Sequence, residues 1–123
     1  MEINEITENI IGSAIKVHTA LGPGLLESTY KVCLVHELSK LGLTAYSEVA
    51  LPVVYDGIRL DAGYRIDILV ENTVIVELKS VERILPIHEA QIISYLRLSG
   101  KKIGLLINFN VRLLRDGIRR LAN

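Results

Sequence analysis

Apolar residues at Ile3, Ile6, Ile10, Ala14, Val17 and Leu21 recur every three or four positions, which predicts an amphipathic helix over residues 3–21. Gly22-Pro23-Gly24 stops it. A second helix is expected over 25–41, with Tyr30, Leu34, Leu38 and Leu41 along one side and Gly42 ending it. The period then changes. Residues 46–54 suit a strand, restricted by Pro52 to an edge or a bulge. Asp56-Gly57 signals a two-residue hairpin. Beyond it, Ile58, Leu60, Ala62, Tyr64, Ile66, Ile68 and Val70 alternate with mostly polar neighbours, predicting one long strand over 58–70. A turn at Glu71-Asn72-Thr73 leads into a strand over 74–80. Pro86 is placed to open a helix over 86–99 that Gly100 stops. The nearly all-apolar run 103–109 reads as a buried strand, and 111–121 as a closing helix. The order α-α-β-β-β-α-β-α predicts an α/β (α+β) fold in one domain, residues 1–123, with a mixed central sheet of about four strands flanked by helices.

Composition supports a packed core. Ile, Leu and Val make up 46 of 123 residues, and the aromatics are five Tyr and one Phe. Disorder is excluded by that apolar content. The one cysteine, Cys33, leaves no internal disulfide and no Cys-based zinc site, and its apolar helical setting predicts an inert thiol. No run is apolar for long enough to span a membrane, and the N-terminus is acidic where a secretory leader is basic, so a cytoplasmic protein is expected.

Charge adds an asymmetry. The net charge is zero, yet residues 1–57 carry three basic and seven acidic side chains, while residues 58–123 carry eleven and seven. From Arg97 onward seven basic residues face one acid, Asp116. A polyanion is a natural partner for such a segment, and Lys101 and Lys102 are the pair expected to meet it.

The candidate chemistry lies in Val74-Ile75-Val76-Glu77-Leu78-Lys79-Ser80. Glu77 and Lys79 are two apart and leave one face of a strand. Alone, Glu-x-Lys is common and reads as an ion pair. Asp67 in the preceding strand changes that, because a hairpin brings it to Glu77. Two adjacent carboxylates repel, and a hard divalent cation is the usual reason to tolerate them. Register decides the matter. A two-residue loop, Glu71-Asn72, puts Ile66 opposite Glu77 and sends Asp67 to the other face. A three-residue loop, Glu71-Asn72-Thr73, makes paired residue numbers sum to 144 and sets Asp67 opposite Glu77, with Arg65 across from Lys79. The three-residue loop, with Asn72 left-handed, or a bulge near Asp67, is the expectation.

Ile-Asp followed by Val-Glu-Leu-Lys on adjacent strands resembles the PD-(D/E)XK nuclease superfamily. Gly24-Leu25-Leu26-Glu27-Ser28-Thr29-Tyr30 matches the pattern of its GxxExxY branch, and Gln91-Ile92-Ile93-Ser94-Tyr95 the QxxxY motif of its RecB-like members. The leading proline is absent, Arg65-Ile66 standing before Asp67. The resemblance implies a restriction-endonuclease-like core. It also implies a metal site of Asp67, Glu77 and Glu27 holding Mg²⁺ or Mn²⁺, with Lys79 as catalytic lysine; the Leu78 carbonyl is well placed to add an oxygen ligand of the kind a hard ion takes. Gln91, Tyr95 and Tyr30 would serve substrate binding with Lys101 and Lys102. The implied activity is hydrolysis of phosphodiester bonds in nucleic acid, DNA in the first instance, by a protein that could need a homodimer or partner to grip it. A nucleic-acid-binding accessory protein retaining the fold is the alternative. His18 and His36 have no partner spacing, and His88 reads as a surface residue at a helix start.

Overall fold

A computed structural model describes residues 1–123. Two helices open the chain, α1 (Ile3–Leu21) and α2 (Glu27–Lys40). Five strands follow: β1 (Ala45–Ala50), β2 (Val53–Tyr55), β3 (Ile58–Leu60), β4 (Arg65–Val70) and β5 (Val74–Lys79). Helix α3 (Pro86–Ser99), strand β6 (Ile103–Asn108), a 3-10 turn (Leu114–Gly117) and strand β7 (Ile118–Ala122) complete it. The main sheet has the order β1-β4-β5-β6-β7. Only β5 and β6 run parallel, joined by α3 as the crossover.

Helices α1 and α2 cover one face, where Ile6, Ile10, Tyr30, Leu34 and Leu38 pack on Ile68, Val70, Val76, Leu78 and Ile107. Helix α3 covers the other, setting Ile92, Tyr95 and Leu96 on Ile66, Leu69, Ile75 and Leu106. Gly104 of β6 allows that approach, since a Cβ there would press on the Ile92 side chain. The two N-terminal helices are also tied by Glu37, which reaches both Lys16 and Lys40 at 2.9 Å. The hydrogen bond from Lys16, then that from Lys40, holds its carboxyl down at about 2.

Three expectations are corrected. The 46–54 strand is broken at Leu51-Pro52, so β1 forms the sheet edge while β2 leaves it. The 58–70 strand is likewise two: β2 and β3 make a separate hairpin, with positive φ at Asp56 and Gly57 as the turn requires. Four strands of the main sheet, β1, β4, β5 and β6, come from the four expected strands, and β7 adds a fifth. The closing helix over 111–121 is absent, replaced by the 3-10 turn and β7. Gly117 explains part of this, because its backbone lies so close to the Asn108 carbonyl that a Cβ would overlap it. The chain there is pressed onto β6 and continues along it, Ile118 pairing with Ile107. Cys33 is half-buried at the margin of the helical core.

Candidate functional site

The hairpin between β4 and β5 sets the geometry. Glu71 and Asn72 both take left-handed φ, 52° and 51°, and the Thr73 N–H donates to the Val70 carbonyl at 3.0 Å. Val70 pairs with Val74, Leu69 with Ile75 and Ile68 with Val76, numbers that sum to 144 in each pair, as the three-residue loop predicts. The ladder ends there. Beyond it the carboxylates fill the fork between the two backbones. The Asp67 N–H donates to Glu77 Oε1 at 3.1 Å, and the Leu78 N–H donates to Asp67 Oδ2 at 2.8 Å. Arg65 does not reach across to Lys79 as the continued register implied; it pairs with Ala50 of β1.

Glu77 is 5% exposed. Burial first, and then the Asp67 carboxylate beside it, push its acid up to about 8, with Lys79 pulling the other way. The folded chain therefore holds this proton more tightly than the unfolded chain does. The resulting stabilisation is complete below the ordinary carboxyl range and is lost as pH rises towards 8. Metal-free protein is expected to lose on the order of 2–3 kcal/mol between pH 5 and 8, and Glu77→Gln to abolish that slope. Urea denaturation across this range checks it; an unchanged slope in Glu77→Gln assigns the effect to other groups.

Helix α3 brings further groups to Lys79. Lys79 Nζ donates to Gln91 Oε1 at 3.4 Å, and Gln91 Nε2 to the Tyr95 hydroxyl at 3.2 Å. Gln91 and Tyr95 are one helical turn apart, so a single face serves both. Burial raises the Tyr95 hydroxyl's pKa, and the Glu77 and Asp67 charges add to the effect. From the opposite side α2 delivers Glu27 in its first turn, where its Oε2 accepts the Ser80 N–H at 3.1 Å. Ser80 Oγ donates in turn to the Leu25 carbonyl at 2.7 Å. Glu27, Ser28, Lys31, Glu48, Asp67 and Leu78 enclose a cavity of about 250 Å³.

Other expected residues lie elsewhere. Tyr30 is fully buried and cannot touch a substrate. Its ring stacks on Phe109 at 4.3 Å, and its hydroxyl donates to the Gly22 carbonyl at 2.5 Å while accepting the Leu25 N–H at 3.1 Å. It holds the loop that precedes Glu27. Lys101 and Lys102 precede β6 at the end where Ile103 pairs with Val74, whereas Lys79 pairs with Asn108 at the other end. Lys101 bonds Asn72 in the hairpin turn at 3.2 Å. The structure does not bring these lysines to the acids. His88 caps α3, its Nδ1 accepting the Leu85 N–H at 3.0 Å. Buried His18, given no role from sequence, donates to the Val111 carbonyl at 2.7 Å.

Two residues at the site escaped the sequence. Glu48 has φ 55° within β1, between the Ser47–Ile68 and Val49–Ile66 pairs, and therefore faces Asp67. It forms an ion pair with Lys31 in the cavity wall. Asn108 ends β6 and is 1% exposed; its amide accepts the Val81 N–H at 3.1 Å and donates to the Val81 carbonyl at 2.9 Å. That clamp fixes the chain leaving Lys79 and Ser80. A polar residue ending an otherwise apolar strand was a readable signal for it.

The donor set suits a hard cation. No three His, Cys, Asp or Glu side chains form a ready cage. Mg²⁺ is commonly held by one or two carboxylates with waters making up the rest. Burial first and the Asp67 charge second raise the Glu77 acid, and a divalent ion would offset both. Asp67 and Glu77 would hold it at the fork, with Glu27 and Leu78 in the adjoining wall.

Compared with known families, residues 4–121 match the PD-(D/E)XK nuclease superfamily. No match was found among curated proteins or among solved structures. With nearly its whole length matched, and with three helices around a mixed five-stranded sheet consistent with a restriction-endonuclease-like α+β fold, the chain belongs to the PD-(D/E)XK nuclease superfamily. No helix is long and apolar enough to cross a membrane.

Proposed function

We propose that this member of the superfamily is a Mg²⁺- or Mn²⁺-dependent nuclease that hydrolyses phosphodiester bonds in DNA in the cytoplasm. The observation that carries this reading is the fork itself, where Asp67 and Glu77 meet with Lys79 next along the strand. Such a cation, when bound, supplies Lewis-acid stabilisation of the phosphate and a lowered water pKa. Lys79, oriented by Gln91, offsets the charge that grows on the phosphate oxygens. Tyr95 fixes Gln91 from one turn away. Glu27 holds the Ser80 amide and thereby the end of the catalytic strand against α2. The segment from Gly24 to Tyr30 supports placement in the GxxExxY branch.

The test is cleavage of end-labelled single- and double-stranded DNA, with RNA alongside. Wild type is expected to cut DNA with Mg²⁺ or Mn²⁺ and to stop on chelation, and Lys79→Ala to cut about a hundredfold to a thousandfold more slowly. Cutting of RNA alone moves the substrate to RNA. Specific DNA binding without cleavage under any metal favours an accessory role for the retained fold.

A further inference from the structure

The carboxylate cleft adjoins a second depression, with a groove next to that one, and the three together outline a track. Gly24, Leu25, Leu26, Ser80 and Asn110 line a depression of about 560 Å³ that shares Glu27 and Ser28 with the cleft. Across the Gly22-Pro23 turn lies a groove of about 680 Å³, walled by that turn, by His18 of α1 and by Arg112 and Arg115. Pro23 of the groove is followed directly by Gly24 of the first depression, and Asn110 and Arg112 are two residues apart, so two separate chain segments link the neighbouring depressions.

Several features of the groove suit an anion. No acidic residue lines it. Arg112 and Arg115 are exposed, and neither side chain takes part in the chain's ion pairs or side-chain hydrogen bonds. Arg120 is engaged by Asn4 and Thr7, Lys101 by Asn72 and Lys31 by Glu48, whereas Arg59, Arg83, Arg97 and Lys102 are as free as the two arginines; what sets Arg112 and Arg115 apart is that they share one groove. The segment carrying the two arginines is held in place. His18 bonds the Val111 carbonyl, Leu114 is buried between the arginines, and Gly117 abuts Asn108. Two guanidinium groups on a fixed segment suit phosphate oxygens.

We propose that Arg112 and Arg115 form a second phosphate subsite, which binds a phosphate flanking the scissile bond on the nucleic-acid strand that enters the Asp67 cleft. The inference rests on nucleic acid being the substrate. It assigns the polyanion contact to the end of the sheet where Lys79 lies, not to Lys101 and Lys102.

Binding of fluorescent DNA oligonucleotides of about a dozen nucleotides, against a dinucleotide too short to span the track, is measured by anisotropy over a range of salt. The Arg112→Ala/Arg115→Ala variant is expected to bind the long oligonucleotide at least about tenfold more weakly and to lose about two from the slope of log K against log salt. The gain in affinity from short to long substrate should shrink with it, while Lys101→Ala/Lys102→Ala has the smaller effect. An arginine variant with wild-type affinity and salt slope overturns the subsite, as does an equal or larger loss in the lysine variant. Metal-dependent cleavage by wild type is scored separately. Cleavage with unaltered binding in the arginine variant sinks the subsite alone, and arginine-dependent binding without cleavage sinks only the nuclease reading. No binding of DNA or RNA by wild type overturns both.

Discussion

Asp67→Ala is expected to abolish Mn²⁺ binding and to slow DNA cleavage by about three orders of magnitude, with the chain still folded. Asp67 is the acid common to the fork and the cavity, so its charge serves both. Its loss leaves the Leu78 N–H without an acceptor, which costs about 1–2 kcal/mol. Removing its charge also relieves Glu77, whose acid should fall back towards the carboxylate range, and this offsets part of the cost. Asp67→Asn separates the two effects, because the amide oxygen still accepts from Leu78 while the charge is gone. Titration calorimetry with Mn²⁺, beside circular dichroism, reads both quantities. Equal Mn²⁺ affinity in wild type and Asp67→Ala removes the site.

The second large effect lies beneath the surface. Tyr30→Ala is expected to cost about 3–5 kcal/mol, since the ring is fully buried and stacked on Phe109. Tyr30→Phe keeps the stack and loses the hydroxyl that ties Gly22 to Leu25, at about 1–2 kcal/mol. It should fold and yet cleave more slowly, because the loop that delivers Glu27 is no longer held. Thermal melts and cleavage rates of the two variants check this. A Tyr30→Phe protein with a lowered melting temperature but wild-type cleavage would confine Tyr30 to a packing role.

The parts of this fold that sequence reveals are those where one local rule acts alone. Helix α1 follows its apolar spacing, and the β4–β5 register follows from the length of the Glu71-Asn72-Thr73 loop. The C-terminal segment fails because Leu114, Ile118 and Leu121 mimic a helical stripe. Leu114 belongs instead to the 3-10 turn, and Ile118 and Leu121 to an edge strand whose burial does not alternate cleanly, with Arg119 and Arg120 both exposed. The contact that decides the matter, Gly117 against Asn108, is tertiary and leaves no periodic trace. The alternation over 58–70 is real, but pairing partners change at Asp61-Ala62-Gly63, which no single-strand pattern encodes.

The site divides in the same way. Asp67, Glu77, Lys79, Gln91 and Tyr95 are spaced within contiguous elements, and the structure gathers them. Lys101 and Lys102 were drawn in by charge count alone, and strand direction carries them to the far end of β6. Arg112 and Arg115 belong to the same basic tail but follow the strand's other end. Tyr30 sits in the motif that carries Glu27, where adjacency in sequence concealed a difference in depth.

The left-handed backbone at Glu48 bears on how this chain tolerates mutation. A non-glycine residue in that conformation costs roughly 1–2 kcal/mol, and glycine or asparagine would adopt it more cheaply. Selection for thermal robustness alone would therefore drift away from glutamate at position 48. Keeping it sacrifices stability at the β1 position that faces Asp67 and anchors Lys31. Position 48 is thus a place where a stabilised variant and an active one are expected to part company.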